Sequence, residues 1–307
     1  MPVAFITHPS FLLHEMGPYH PECPERLMAV GDRMIAAGID PYLRHYTAQA
    51  ATREQIARVH SDTFIDEVEA ASPEHGLHYI DPDTALNPHS LTAARHAAGA
   101  VVMAVDLVMK RECATAFCAV RPPGHHAERR RAMGFCLFNN IAVGAAHALA
   151  EHGLSRVAVV DFDVHHGNGT EDIFQGDPRV LMVGTFQHPL YPYCGFDDPA
   201  PNMVNVPLSA GSGSEEFRAA VTARWLPALE RFAPEMILIS AGFDAHREDP
   251  LAGLKFTEAD YAWVTQELLA VAARHSQRRI VSSLEGGYAL SALGRSAAEH
   301  VRVLVEG

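Results

Sequence analysis

Arg156-Val157-Ala158-Val159-Val160-Asp161-Phe162-Asp163-Val164-His165-His166-Gly167-Asn168-Gly169-Thr170 lies near the middle of a 307-residue chain. Its apolar, β-branched opening reads as a buried strand. At the exit stand two carboxylates, two imidazoles and an amide. Side chains alternate along a strand, so Asp161, Asp163 and His165 are expected on one side and Phe162 and Val164 on the other. A row of Asp-x-Asp-x-His is costly to bury without a cation or dense hydrogen bonding. A hydrated polar loop is the plain alternative; a metal site is the stronger reading.

Similar runs recur outward from this stretch. Strands are expected at Val3–Thr7, Ala114–Val120, Val157–Phe162, Val180–Thr185, Met236–Ala241 and Ile280–Leu284. Between them, apolar residues spaced by three and four predict helices near Pro24–Ala37, Leu91–Lys110, Asn139–His152, Glu215–Phe232, Glu258–His275 and Ala289–Leu304. Such alternation implies an α/β chain with a mostly parallel central sheet covered by helices on both faces. No linker, low-complexity tract or repeat divides residues 1–307, so one domain is expected.

Ligands of open parallel sheets bind beyond the carboxyl ends of the strands. Four predicted strands end in chemistry: Arg121-Pro122-Pro123-Gly124-His125-His126, Asp161 through Asn168, Gly242-Phe243-Asp244, and Glu285-Gly286-Gly287-Tyr288. Asp163, His165 and Asp244 form an N/O ligand set, and three protein ligands with an open fourth position suit catalytic zinc. Iron, cobalt and manganese accept the same donors. An imidazole of the His125-His126 pair, aimed by the preceding prolines and glycine, is a natural proton acceptor. Asp161 and Asn168 are candidate partners for its other nitrogen. Tyr288, after two glycines, is a candidate donor to an oxyanion. In isolation, Asp244 reads as a cap, His-His as one core and one surface residue, and Tyr288 as a surface tyrosine. Their convergence on one rim favours a site.

Bulk properties narrow the function further. The chain is 48% hydrophobic, enough for a sizeable core, and carries a net charge of −13. That charge disfavours a nucleic-acid partner and suits a cationic substrate. Cys23, Cys113, Cys118, Cys136 and Cys194 are odd in number and form no Cys-x-x-Cys pair, as expected of free thiols in a reducing compartment. No apolar run approaches the ~20 residues of a membrane span, and Met1-Pro2-Val3-Ala4-Phe5 lacks the basic start of a signal peptide. A cytoplasmic protein without membrane contact is expected; a homo-oligomer is left open. Of the 19 histidines, His75, His78, His152 and His275 read as surface residues.

The motifs also resemble a known family. Arg121-Pro-Pro-Gly-His-His-Ala-Glu128, Gly134-Phe-Cys-Leu-Phe-Asn-Asn140, Asp161 through Thr170, Ala241-Gly-Phe-Asp244 and Glu285-Gly-Gly-Tyr288 are similar, in order, to those of the zinc-dependent histone deacetylase superfamily, above all its bacterial class II-like amidohydrolases. His20-Pro-Glu-Cys-Pro-Glu-Arg26 matches the family's N-terminal pattern, so the resemblance covers nearly the whole chain. It implies the arginase/deacetylase fold, a three-layer α/β/α arrangement, and removal of acetyl or other short acyl groups from a lysine-like amine. It implies one Zn²⁺ on Asp163, His165 and Asp244, His126 as general base and acid with Asn168 behind it, and His125 paired with Asp161. Tyr288 would donate to the carbonyl; Gly134, Phe135 and Tyr191 would line the acyl-chain tunnel; Arg26 would lie by the inner cavity.

Two positions depart from the family pattern. Members commonly bind K⁺ beside the zinc loop through a serine hydroxyl, where this chain has Gly184. The rim acid that grips substrate backbone has only Asp81 or Asp83 as counterparts. Acetylpolyamine hydrolysis, a catalytically silent acyl-lysine-binding regulator and an arginase-like ureohydrolase are the competing functions. The complete set of ligands, base and tyrosine disfavours the regulator, and His125-His126 with Tyr288 disfavours the ureohydrolase. Leu251 stands where polyamine-selecting relatives can carry a glutamate, which favours acyl-lysine.

Overall fold

The computed structural model describes residues 2–307. In chain order the elements are β1 (Val3–Thr7), α1 (Glu25–Ala36), β2 (Leu43–Thr47), α2 (Arg53–Ala57), α3 (Asp62–Ala70), β3 (His78–Asp81), β4 (Thr84–Leu86) and α4 (Ser90–Met109). Then follow β5 (Thr115–Cys118), α5 (Asn140–Glu151), β6 (Val157–Asp161), α6 (Asn168–Phe174), β7 (Val180–Gln187) and β8 (Met203–Leu208). The last are α7 (Ser214–Ala220), α8 (Leu226–Phe232), β9 (Met236–Ala241), α9 (Glu258–His275), β10 (Ile280–Leu284) and α10 (Leu290–Glu306). A π-helical turn, Val221–Trp225, joins α7 to α8.

Eight strands form one parallel sheet in the order β2-β1-β5-β10-β9-β6-β7-β8. All six expected strands are in it. The two that patterning missed are its edges. β2, Leu-Arg-His-Tyr-Thr, is largely exposed, and β8 carries Pro207, which an edge strand tolerates because one side needs no ladder bond. The short α2 and α3 and the β3–β4 hairpin were also missed, being too brief for a periodic signal. Helices α4 and α5 pack together on one side, and α1, α10 and α9 form a connected layer elsewhere. The expected helix over Glu215–Phe232 is present as α7, the π turn and α8.

Strand β6 is apolar on both faces because both are covered: Val157 through Val160 are wholly buried. Helix α4 is long and apolar enough to cross a membrane by length and composition, and it packs against α5, β1, β5 and β10. One register position matters most for function. Cys118, Ser283, Ser240 and Asp161 lie side by side across β5, β10, β9 and β6. These four strands are contiguous, so the four polar segments that follow them emerge at one rim.

Candidate active site

Strand pairing stops at Asp161, and a turn carries Asp163 and His165. Backbone N–H groups, some two residues on in the same turn and some from other segments, aim each acid. Asp161 Oδ1 accepts the N–H of Asp163 at 3.0 Å, and Asp163 Oδ1 accepts that of His165 at 2.9 Å. Asp163 Oδ2 accepts from Gly286 N–H at 2.8 Å, while Asp244 Oδ1 accepts from Val164 N–H at 2.9 Å. A Cβ on Gly286 would collide with the Asp244 and Asp163 carboxylates, so only glycine lets the β10 loop come this close.

Ligand atoms of Asp163, His165 and Asp244 all lie within 4.8 Å of one another. His165 Nδ1 stands 3.1 Å from Asp163 Oδ1 and 3.2 Å from Asp244 Oδ2. Asp244 Oδ2 is buried and has no hydrogen-bond partner among the described residues. Burial and the neighbouring Asp163 charge push the Asp244 carboxyl up to about 7. Burial disfavours charge on His165, but the two carboxylates outweigh it and raise the imidazole to about 10. One nitrogen and two oxygens around a point rich in negative charge, with an acceptor to spare, fit a divalent ion such as zinc.

The adjacent histidines have opposite electrostatic settings. His125 Nδ1 meets Asp161 Oδ2 at 2.9 Å. Burial opposes its charge, yet Asp163 and Asp161 hold it well above the ordinary imidazole range. Burial followed by the charges of His125 and His165 drives His126 well below that range. Asn168 fixes the tautomer of His126. Its Nδ2 donates to Glu128 Oε1 at 2.8 Å, so its Oδ1, 2.7 Å from His126 Nδ1, is an acceptor. His126 therefore carries its proton on Nδ1 and keeps Nε2 as the basic atom. Asp161, the last residue of β6, faces His125, while Asp163 and His165 stand on the turn beyond the strand.

Tyr288 is half-buried, and its backbone N–H donates to Asp249 Oδ2 at 2.7 Å. Burial pushes the phenol well above its ordinary value, which keeps it a proton donor. Its ring meets Phe135 edge-on at 5.9 Å, with the Arg26 guanidinium 5.0 Å away. Arg26 is fully buried and donates to the carbonyls of Gly287 at 2.7 Å and Glu285 at 2.5 Å, and to Glu22 Oε1 at 2.9 Å. Gly134 sits at φ +57°, where a Cβ would strike the His126 ring. Tyr191 packs edge-on to His126 at 5.3 Å, and its buried hydroxyl has no partner among the described residues.

Several contributors escaped sequence reading. Glu285 is wholly buried; Oε2 accepts the N–H groups of Gly124 at 2.6 Å and His125 at 3.1 Å, and Oε1 accepts from Ser240 Oγ at 3.2 Å. Burial lifts this carboxyl to about 7 against the pull of His125. It staples β10 beneath the two histidines. Glu22 pairs with Arg121 through Nη2 to Oε2 at 2.7 Å and Nε to Oε1 at 2.5 Å. Asp249, which also accepts from Leu251 N–H at 3.0 Å, sets the backbone of Tyr288. The available signals were an acid opening the Glu285-Gly-Gly-Tyr288 motif, an acid within His20 to Arg26, and an acid five residues after Asp244.

At the rim, Asp81 pairs with Arg131 at 2.8 Å, and Asp83 accepts from Gly134 N–H at 3.1 Å. Leu251 is partly exposed, and Glu248 pairs with Arg295 at 2.8 Å. Gly184 lies beside Asp161 in register and offers no hydroxyl. A cavity of about 920 Å³ is lined by the segment before α1, including Met16, Tyr19, His20 and Cys23, together with Leu77 and His89. One of its lining residues, His20, meets the Phe135 ring edge-on at 4.7 Å.

The model of the histone deacetylase domain matches residues 20–304. A probable deacetylase of Archaeoglobus fulgidus is 36% identical over 94% of this chain and 82% of its own. A histone deacetylase-like amidohydrolase of Pseudomonas aeruginosa is 37% identical over 88% and 72%, respectively. The crystal structure of the HDA15 HD domain is similar with a TM-score of 0.93 and 36% identity, covering 100% of this chain and 90% of that one.

Proposed function

The chain belongs to the histone deacetylase family and is a hydrolase, and from that premise we propose that it removes acetyl or other short acyl groups from lysine-like amines with the help of one zinc ion. Asp163, His165 and Asp244 would hold the metal. When bound, zinc would supply Lewis-acid polarisation of the amide carbonyl and acidify water.

The observation that carries the reading is the tautomer of His126. With Nδ1–H committed to Asn168, Nε2 takes the proton that water loses as it attacks the amide carbonyl. The same nitrogen then returns that proton to the amine as the C–N bond breaks, leaving acetate and a free amine. Asp161 and its charged partner His125 stabilise this arrangement by fixed charge, without changing protonation. Tyr288 donates to the oxygen on which negative charge develops. Gly134, Phe135 and Tyr191 line the path of the acyl-bearing chain, and Arg26 holds the floor beneath Tyr288. A K⁺ ion near Asp161 would rely on backbone carbonyls, since Gly184 has no side chain. The five free thiols accord with a cytoplasmic setting.

Acyl-lysine is the favoured substrate because the tunnel mouth lacks an uncommitted acid at Leu251, and Glu248 is held by Arg295. A panel of acetyl-lysine peptides, longer acyl-lysines and acetylated polyamines tests this. Higher kcat/KM on acyl-lysine is expected, and Leu251→Glu should shift the ratio toward acetylspermidine. A wide wild-type preference for acetylpolyamines overturns the substrate assignment.

A further inference from the structure

At the pole opposite the active rim, α4 and α5 end side by side. Both run from the rim toward the amino ends of the strands, since each leads into a parallel strand of the sheet. Asp106 lies in the last turn of α4, His147 four residues before the end of α5, and His152 caps α5. His147 Nε2 and His152 Nε2 converge on one oxygen, Asp106 Oδ1, at 2.9 and 2.7 Å. The three ligand atoms lie within 4.8 Å of one another, with His147 buried and the other two half-buried.

We propose that Asp106, His147 and His152 form a second metal site, for an exchangeable first-row divalent ion such as Zn²⁺ or Co²⁺. Two imidazole nitrogens and one carboxylate oxygen favour such ions over Mg²⁺ or Ca²⁺. The aligned carbonyls at two helix C-termini add a negative field suited to a cation. Half-exposure leaves room for water to complete the coordination.

Without metal, the rings hold together as two N–H donors on one carboxylate. On binding, each neutral ring shifts its proton from Nε2 to Nδ1 and gives the freed Nε2 lone pair to the ion, with no net proton release. Two neighbouring cations oppose the ion. Lys110 Nζ lies 3.7 Å from Asp106 Oδ2, and Arg58 Nη1 lies 3.3 Å from His147 Nδ1. Neither occupies a converging atom. Arg58 already reaches Glu151 at 2.5 Å and Glu54 at 3.7 Å, so it can leave His147 without losing its partners. The site is therefore weaker than the rim cluster and should empty first against a mild chelator. Helix α5, about 18 Å long at 1.5 Å per residue, separates it from the rim loops, so its loading is measurable apart from catalysis.

The test counts metal. Chelator-stripped wild type is titrated with Zn²⁺ and, separately, Co²⁺, and bound ion is measured after gel filtration. His147→Ala/His152→Ala should bind one equivalent fewer than wild type. Asp163→Ala/Asp244→Ala should keep one equivalent, which adding Asp106→Asn removes. Zn²⁺ should raise the Tm of the former protein but not the latter. The cobalt spectrum should show N/O ligation with no thiolate charge-transfer band, which separates this site from the free cysteines. Equal metal content in wild type and His147→Ala/His152→Ala overturns the proposal. Loss of all metal in Asp163→Ala/Asp244→Ala also overturns it, while leaving the rim reading intact. If the double histidine variant unfolds, His152→Ala at the helix end provides the same count.

Discussion

The molecule carries two clusters of imidazole and carboxylate, one at each end of its sheet, and they are built differently. At the rim, Asp163, His165 and Asp244 hang on turns beyond β6 and β9, and backbone N–H groups from the same turn and from other segments aim the acids. At the opposite pole, Asp106, His147 and His152 project from helices and are aimed by one another. The rim acids are buried, while Asp106 and His152 are reached by solvent. A charge in a dry, backbone-framed turn cannot relax, so its interactions are strong and its geometry fixed. A charge on a helix surface keeps water and mobile neighbours, and holds an ion loosely. Position on the fold, more than residue type, separates a catalytic cluster from an exchangeable one.

Removing a rim ligand should produce the largest effect. Asp163→Ala should strip one zinc and lower turnover beyond the ~10²–10⁴-fold scale of a lost proton-transfer group. Elemental analysis and a peptide deacetylation assay read both quantities. Full zinc content with intact turnover would erase the distinction between the two clusters. A hydroxamate should inhibit the wild type by chelating at the open metal position.

His126→Ala comes next, with kcat lower by ~10²–10⁴-fold and metal content unchanged. That combination separates the base from the ligands beside it. A variant that lost zinc as well would make His126 part of the metal cluster.

Acid unfolding probes how far the dry environment extends behind the rim. Burial alone would raise Glu22, but Arg121 and Arg26 outweigh it and lower the carboxyl to about 2 from the 4.5 of a free glutamate. Because the folded-state value is the lower one, ionised Glu22 stabilises the fold above pH 4.5. That contribution fades as pH falls from 4.5 to about 2. It amounts to about 3 kcal/mol at ~1.4 kcal/mol per pH unit. Urea unfolding across this range should show the slope in wild type and lose it in Glu22→Gln. An unchanged slope in the variant would assign the acid sensitivity to other groups.

The smallest effect in this series belongs to Glu285, a positioning residue. Glu285→Gln keeps the shape and one acceptor but removes the charge beneath His125. A fall of about tenfold in kcat, the scale of one charge-assisted hydrogen bond, is expected with KM unchanged. A change confined to KM would make Glu285 part of substrate binding instead.

The fold was legible where elements are long or buried. The six expected strands form the inner part of the sheet, and α9 runs over Glu258–His275 as its spacing predicts. Edge strands β2 and β8 were not legible, because one half-paired side relaxes the demand for an apolar pattern. His152 read as a surface residue because its immediate neighbours are polar; only the packing of α4 on α5 brings it to Asp106. Asp161, named from the sequence as a histidine partner, meets His125, whereas Asp163 and His165 lie two and four residues past the end of β6, where a turn and not strand alternation places them.

The sequence by itself determined that apolar runs would make a parallel sheet and that ligands, histidines and tyrosine would leave it at strand ends. Those outcomes follow from local periodicity and from residue chemistry, which are written along the chain. Tertiary structure alone decided which strands stand side by side and which carboxylate faces which imidazole. It also set His125 and His126 on opposite sides of the ordinary imidazole range. The reason is physical: a charge state depends on burial and on the field of groups distant in sequence, and Asp161, Asn168 and Glu285 reach the histidine pair only after β5, β10, β9 and β6 have assembled.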